Sequence, residues 1–82
     1  MTRLLYFGRV SDLTGLGEHS ATLPETVRDT ATLRQWADDV HGAGGGFLDP
    51  TIRLAIDGAI VAEPAVFDAP GEIAFMPPVG GG

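Results

Sequence analysis

The sequence predicts an α+β domain in which one amphipathic helix covers one face of a single β-sheet. Three observations predict this class: an apolar strand-like segment near the N-terminus, one central stretch with helical spacing, and two later segments with alternating apolar residues. The chain has 82 residues, of which 44% are hydrophobic and 20% charged, so it has room for one domain with one core. We therefore expect residues 1–76 to form the domain and residues 77–82 to form an extended tail.

The first predicted element is a strand over residues 3–10. Leu4 and Tyr6 point to one face and Leu5 and Phe7 to the other, so both faces are expected to meet apolar groups. Residues 11–17 are typical of a turn, and residues 19–23 can pair back as a short second strand that stops before the proline. The chain therefore opens with a hairpin.

The central segment has the spacing of one helical face, carried by Leu33, Trp36, Ala37 and Val40. Thr30 or Thr32 can cap its N-terminus, and Thr32 with Gln35 has the spacing of a capping box. Gly42 offers the left-handed residue that ends a helix, and residues 42–46 then form a loop. We predict one main helix.

The C-terminal half predicts a second hairpin and a final strand. Residues 51–56 alternate, Asp57-Gly58 is a tight-turn dipeptide, and residues 59–62 follow as the returning strand. Residues 72–76 form the last strand, which Pro77-Pro78 ends because proline cannot donate to a ladder. This order of elements suits a β-grasp arrangement, with a mixed sheet of about five strands.

The alternation assigns side chains to the two faces of this sheet. The inner face, toward the helix, is expected to carry Ile52, Leu54, Ile56, Ile73 and Phe75. The outer face is expected to carry Arg53, Ala55, Ala74 and Met76, with Phe7 and Ile60 as neighbours. A monomer gains little by exposing such small and apolar side chains, so the outer face is a candidate docking surface. Incomplete burial in a small domain is the alternative explanation.

Composition excludes several classes of function. The chain has no cysteine, which excludes disulfides and any persulfide or thioester on its own side chains, and it also has no lysine. A net charge of −6 argues against nucleic-acid partners and is compatible with a partner that has a basic surface. No apolar run is long enough to span a membrane and no signal-peptide layout is present, so we expect a cytoplasmic protein.

The interior of the sequence offers no catalytic constellation. The glycines at residues 15–17 and 42–46 lack the remaining residues of a dinucleotide fingerprint or a phosphate loop. His19 and His41 lie in separate elements without zinc-ligand spacing and are expected to be solvated surface residues. Asp38 and Asp39 are expected to form part of the polar face of the helix.

The tail begins with residues of restricted backbone conformation and ends with residues that have no side chain. Pro77 and Pro78 restrict the backbone, and Val79 leads into Gly80, Gly81 and Gly82. Six residues at about 3.3 Å each span about 20 Å, enough to enter a deep pocket on another protein and present a glycine carboxylate there. Glycine passes a narrow channel and leaves the terminal carbonyl unhindered, although a merely disordered end is the alternative.

Four segments resemble the MoaD/ThiS family of sulfur carriers, and most of all the small subunits of molybdopterin synthase. The segments are LLYFGRVSDLTG, TLRQWADDV, RLAIDGAIV and EIAFMPPVGGG, which together extend over nearly the whole chain. The ending is the specific part, since FMPPVGGG matches the FxPPVxGG tail of those subunits. Two places depart from the family pattern: Asp57 stands where the family commonly has Asn, and residues 69–71 replace an Asp-Gly-Asp turn.

The resemblance implies a ubiquitin-like β-grasp fold and a non-catalytic role. By resemblance, an adenylating enzyme uses ATP to activate Gly82, which becomes a thiocarboxylate, and the carrier binds no cofactor of its own. Pro77 to Gly81 would thread into the large catalytic subunit of molybdopterin synthase, with which the carrier would form a heterotetramer. The sulfur would pass to the cyclic pterin precursor of the molybdenum cofactor. Phe7, Ile60 and Met76 would face the partner.

Two other functions remain open from the sequence. The chain could be a sulfur carrier for another pathway, such as thiamin, cysteine or tRNA thiolation, with the same tail chemistry and a different acceptor. It could also be a ubiquitin-like protein modifier joined to lysines through Gly82.

Overall fold

The fold is described from a computed structural model of the chain, over residues 1–78. Predictions that concern Val79, Gly80, Gly81 and Gly82 lie outside these residues. The strands are β1 (Thr2–Tyr6), β2 (Glu18–Ala21), β3 (Arg53–Ile56), β4 (Ala59–Ile60) and β5 (Glu72–Met76). The helices are α1 (Ser11–Thr14) and α2 (Thr30–His41), and short 3₁₀ turns span Gly8–Val10 and Gly46–Leu48.

The five strands form one mixed sheet in the order β2-β1-β5-β3-β4. The central strands β1 and β5 are parallel, and the other neighbouring pairs are antiparallel. The predicted α+β class and β-grasp arrangement are confirmed. Because β1 and β5 run in the same direction, the chain leaves β5 at the end of the sheet where β1 also finishes.

The first strand is shorter than predicted. β1 stops at Tyr6, and the predicted turn over residues 11–17 contains the short helix α1. Gly8 has φ +53°, a left-handed conformation that takes the backbone out of the strand and into the 3₁₀ turn. Leu13 of α1 packs against the core, so this segment covers apolar surface instead of exposing it.

The core lies between the inner sheet face and α2. Register aligns Tyr6 with Phe75 and Phe75 with Leu54, and all three side chains are buried. From the helix, Leu33 and Ala37 are fully buried against this face. The predicted inner-face assignment is confirmed for most of its residues, although Ile56 is only half-buried.

The predicted helical face is partly wrong. Val40 is 56% exposed and Trp36 is half-buried, whereas Arg34 and Asp38 are buried. The helix turns these two charged residues inward because they satisfy backbone groups of the loop that follows it. Phe47 from that loop is fully buried and packs on the rings of Tyr6 and Phe75. Apolar spacing alone did not indicate this orientation.

Arg34 and Asp38 hold the loop by side-chain hydrogen bonds. Arg34 donates to the carbonyl oxygens of Phe47 (2.8 Å), Asp49 (3.1 Å) and Ile52, and pairs with Glu63. The Asp38 carboxylate accepts the amide of Gly45 at 2.9 Å and that of Phe47 at 3.0 Å. The prediction that Asp38 belongs to a solvated face is therefore wrong, whereas Asp39 is exposed.

The predicted C-cap of α2 is confirmed, and the predicted N-cap is wrong. Asp29 is the N-cap: its carboxylate accepts a hydrogen bond from the Thr32 amide at 2.8 Å, and the Asp29 amide donates to the Thr32 hydroxyl at 3.2 Å. Neither Thr30 nor Thr32 is the cap residue, because the helix begins one residue after an extended Asp29. Gly42 ends α2 at φ +59°, as predicted. No helix in residues 1–78 is long and apolar enough to cross a membrane.

Candidate functional site: the outer sheet face and the tail root

The tail leaves the sheet directly from its central pair of strands. The Phe7 amide donates to the Phe75 carbonyl at 3.1 Å, which extends the β1–β5 pairing to the last residues before Pro77. Pro77 is half-buried and packs over Gly8, where an added Cβ would lie 3.0 Å from the Pro77 Cγ. Pro78 is exposed. The root of the predicted tail is therefore held against the turn that follows β1.

A row of apolar residues crosses the outer sheet face. The strand registers align Leu5, Ala74, Ala55 and Ile60. The two alanines at its centre are buried, whereas Ile60 at the edge is 61% exposed. The exposed apolar surface of this row is therefore greatest at its edge.

A second row lies beside the tail root. Met76 pairs with Arg53 in the β3–β5 register, and Phe7 follows Tyr6, whose partner is Phe75. Phe7 has an extended backbone (φ −89°, ψ 147°) and is 48% exposed, so its ring lies on the face opposite the buried Tyr6. The structure thus brings Phe7, Ile60 and Met76, the three predicted partner-facing residues of the domain, to one face. Their role in binding stays a prediction.

The other end of the same face is charged. Arg3 pairs with Glu18 at 3.3 Å and with Glu72 at 3.7 Å, and the side chains of Arg3 and Glu18 are more than half exposed. These ions are well solvated and contribute little to stability. They mark the end of the outer face away from the tail, so the apolar part is confined to the tail end.

We call the apolar residues at the tail end of this face the outer patch, formed by Leu5, Phe7, Ala55, Ile60, Ala74 and Met76. A shallow groove of about 370 Å³ lies elsewhere, at the opposite end of the sheet, where Thr2 and Pro70 contribute to its walls. The outer patch lies on the outside of the sheet with Phe7 and Ile60 exposed, and such a surface suits another protein better than a small molecule, which usually requires a concave pocket.

A cluster of Tyr6, His19 and His41 was missed from the sequence. The Tyr6 hydroxyl lies 3.3 Å from Nε2 of His19 and 3.1 Å from Nε2 of His41. Both histidines are half-buried, and their ring centroids are 5.6 Å apart. The prediction of two separate, solvated histidines is therefore wrong. The one signal in the sequence was that His41 lies four residues after Ala37, on the buried side of α2.

Burial changes the ionisation of this cluster. It raises the pKa of Tyr6 to about 12, because the phenolate would lose solvent contact. The pKa of His41 is lowered, first by burial and then by the nearby charge of His19. The neutral phenol can donate to one imidazole and accept from the other, so the arrangement joins β2 and the end of α2 to β1. In the part of the chain that is described, no three His, Cys, Asp or Glu residues are grouped to hold a metal ion.

The Arg34–Glu63 pair has a structural role, because it holds loops together. The hydrogen bond from Arg34 lowers the pKa of Glu63, and the positive charge adds to this against the opposing effect of burial. Every donor of Arg34 that is described points into the loops that it holds. The charge of Arg53 also contributes to lowering the pKa of Glu63.

The chain is similar to a known protein family and to solved structures. A family model described as the ThiS family matches residues 4–82. No curated protein matches the sequence. Two solved structures each have a TM-score of 0.74: a candidate molybdopterin converting factor, subunit 1, from Pyrococcus furiosus, and SAMP1 from Haloferax volcanii.

Both similarities extend over almost the entire chains. The Pyrococcus protein is 22% identical, over 95% of this chain and 97% of its own. SAMP1 is 18% identical, over 99% of this chain and 98% of its own. At these identities the likeness shows the fold, which is the ubiquitin-like β-grasp that the sequence predicted.

Proposed function

The chain belongs to the ThiS family of small, non-catalytic sulfur carriers, and on that premise we propose that it is the sulfur-carrier subunit of a molybdopterin synthase. In this proposal Gly82 carries a thiocarboxylate and donates its sulfur to the cyclic pterin precursor of the molybdenum cofactor. The observation that carries the proposal is the tail FMPPVGGG, which continues from the central strand of a β-grasp domain. The likeness to the Pyrococcus protein, a candidate molybdopterin converting factor, also favours this pathway.

The tail is proposed to deliver a reactive carbonyl over a distance. Pro77 packs on Gly8 beside the last ladder hydrogen bond, so the direction in which the tail starts is set by the folded domain. Pro78, Val79, Gly80 and Gly81 would then thread into the partner. Ordering such a segment costs about 1–2 kcal/mol of backbone entropy per residue, and two prolines reduce this cost by stiffening its start.

The chemistry proposed for Gly82 is an exchange of oxygen for sulfur. Its carboxylate attacks the α-phosphorus of ATP, pyrophosphate leaves, and an acyl adenylate forms on an adenylating enzyme. Hydrosulfide supplied by the sulfur donor then attacks the glycine carbonyl carbon, the C–O bond to AMP breaks, AMP leaves with that oxygen, and loss of a proton leaves the thiocarboxylate. The chain supplies no catalytic side chain in this scheme and binds no cofactor, while the ATP belongs to the activating partner.

The outer patch is the proposed contact with partner proteins. Phe7, Ile60 and Met76 would be covered by the large catalytic subunit, which receives the tail at the same time. We propose two copies of each subunit in the complex and a cytoplasmic site of action. The exposed apolar side chains at the tail root support a protein partner, because their burial would add to the affinity.

The test is intact-mass measurement after reaction with the adenylating enzyme, ATP and a sulfur donor. The expected result is replacement of one oxygen by sulfur, absent when Gly82 is deleted and absent without ATP. The sulfur-loaded protein, mixed with the purified large subunit and the pterin precursor, should return to its original mass as product forms. If the mass does not change with a competent adenylating enzyme, the proposal of a carrier function is refuted.

The same experiment separates the alternative functions. If sulfur is loaded and the large synthase subunit does not discharge it, the chain serves another pathway, for which thiamin, cysteine and tRNA thiolation are the candidates. If mixing with the adenylating enzyme and a cell extract produces conjugates on lysines through Gly82, the chain is a protein modifier.

A further inference from the structure

The arginines of this acidic chain differ in whether they form ion pairs. The net charge is −6, with five arginines against eleven acidic residues. Arg3 pairs with Glu18 and Glu72, and Arg34 pairs with Glu63. Within residues 1–78, Arg9, Arg28 and Arg53 make no ion pair. All three are exposed, so their charges face solvent.

Two of these three arginines lie beside the tail root. Arg53 pairs with Met76 in the β3–β5 register, one residue before Pro77. Arg9 lies in the 3₁₀ turn that directly follows Phe7, and that turn also contains Gly8, which Pro77 covers. Arg28 lies elsewhere, on the wall of the groove at the opposite end of the sheet. The tail root of an acidic protein is thus flanked by two arginines that have no carboxylate within ion-pair distance in the described chain, and Arg53 is near enough to Glu63 for its charge to help lower the pKa of that carboxyl.

These charges border apolar surface. Phe7 and Met76 lie in the row that ends at Arg53, and Ile60 continues the outer patch on the neighbouring strand. Protein interfaces commonly place apolar and aromatic side chains at the centre and charged groups at the rim, where they guide association and fix the orientation of the partner. The outer patch has this arrangement, with arginine as its rim residue.

We propose that Arg9 and Arg53 dock against carboxylates on the rim of the opening that receives the tail in the partner protein. The inference rests on the proposed function and adds the chemistry of the partner surface to it. Overall charge alone would favour a basic partner, but the tail root requires acidic groups at the point of entry. Guanidinium groups bind carboxylates through two parallel hydrogen bonds, so such pairs would also fix the angle at which the tail enters.

The test compares single charge reversals that change the net charge equally. Arg9→Glu and Arg53→Glu alter the tail root, and Arg28→Glu is the matched control at the other end of the sheet. The probe is the purified large synthase subunit, with association rates measured at low and high salt. Both tail-root variants are expected to associate about tenfold more slowly at low salt, with less difference at high salt, whereas Arg28→Glu stays within about twofold of wild type.

Three results would overturn this inference. Equal slowing by all three reversals would show that only net charge matters, and no slowing by the tail-root variants would show that the arginines do not contact the partner. Binding of inorganic pyrophosphate that depends on Arg9 and Arg53 but leaves subunit association unchanged would assign them to a phosphate group instead. Thermal unfolding of each variant checks the fold, and Arg9→Gln and Arg53→Gln replace any reversal that does not fold.

The outcome is distinguishable from failure of the proposed function. If the wild-type chain accepts sulfur and binds the large subunit, but the variants associate normally, only the arginine contacts are refuted. If the wild-type chain neither accepts sulfur nor binds that subunit, the carrier proposal fails, and this inference fails with it.

Discussion

Tyr6 joins two histidines from different elements. The protonation of one of them, His41, makes the stability of the domain depend on pH. The pKa of His41 lies below 6.5 in the folded chain, mainly because the charged form would be desolvated. The unfolded chain therefore binds this proton more readily. It follows that the contribution to stability is complete above pH 6.5 and is lost as the pH falls through 6.5 toward the folded pKa.

We predict that the free energy of unfolding of wild type decreases between about pH 7.5 and pH 5.5, and decreases less in His41→Gln. Urea unfolding at both pH values measures this difference. The pKa of Glu63 is lowered from 4.5, so its contribution is lost only below this window. Equal pH dependence in the two proteins would contradict the role of His41.

At the tail, a single β-branched side chain should separate folding from function. Gly81→Val is predicted to leave thermal unfolding unchanged and to slow sulfur transfer to the large subunit about 100-fold, because the side chain would obstruct a narrow channel and displace the reactive carbonyl. Gly17→Val is the matched control, since that glycine has no positive φ and nothing within 4 Å of an added Cβ. Normal transfer by Gly81→Val would refute threading.

Among the elements, α2 shows how polar residues determine the orientation of a helix. Its apolar spacing predicted that Leu33, Ala37 and Val40 face the sheet, but the helix is rotated so that Arg34 and Asp38 also lie inside. Each of these two bonds backbone groups of the following loop, which would otherwise be buried without partners. The loop in turn places Phe47 in the core.

Replacement of Arg34 should therefore destabilise the whole domain. Arg34→Met removes the donors to three carbonyl oxygens and leaves Glu63 without its ion-pair partner, so we expect a loss of about 3–5 kcal/mol. Arg28→Met is the control, since Arg28 is exposed and makes no ion pair within the described residues, and it should change stability by less than about 0.5 kcal/mol. Denaturant titration measures both, and similar values would be inconsistent with this explanation.

At the scale of the whole molecule, the parallel pairing of β1 and β5 organises the candidate site. The two strands come from the beginning and the end of the chain and finish at the same end of the sheet. Phe7, Met76 and Pro77 therefore become neighbours. The inner face of the same sheet supplies the core, and the outer face carries the outer patch, which is the proposed docking surface. In that proposal, stability and docking depend on different sides of the same strands.

This division predicts that the outer patch can be altered without loss of the fold. Phe7→Ala and Ile60→Ala should each weaken binding of the large subunit by about 1–2 kcal/mol, roughly tenfold, with little change in unfolding free energy. Val66→Ala, at a residue that is 85% exposed and not in the outer patch, should bind normally. Titration calorimetry gives the affinities. Wild-type affinity in both outer-patch variants would exclude this face from the interface.

Much of the fold was accessible from the sequence because its determinants are local. Alternation of apolar residues defines the two faces of β3 and β5, and Gly42 marks the end of α2 through a requirement of its own backbone. The tail motif belongs to the same class, since its prolines and glycines follow one another directly. The Asp29 and Thr32 cap is also a local pattern, but Thr30 or Thr32 was predicted as the cap residue, and Thr32 with Gln35 has the same capping-box spacing.

The amino-acid sequence alone determined the fold class, the division into inner and outer sheet faces, and the composition of the tail. Only the tertiary structure decided that His19 and His41 meet at Tyr6, that Arg34 turns inward, and that Arg9 and Arg53 flank the tail root. The physical reason is the separation along the chain over which each interaction acts. Periodicity and turn chemistry act between neighbours along the chain, whereas these contacts depend on how the sheet, the helix and the loops pack together.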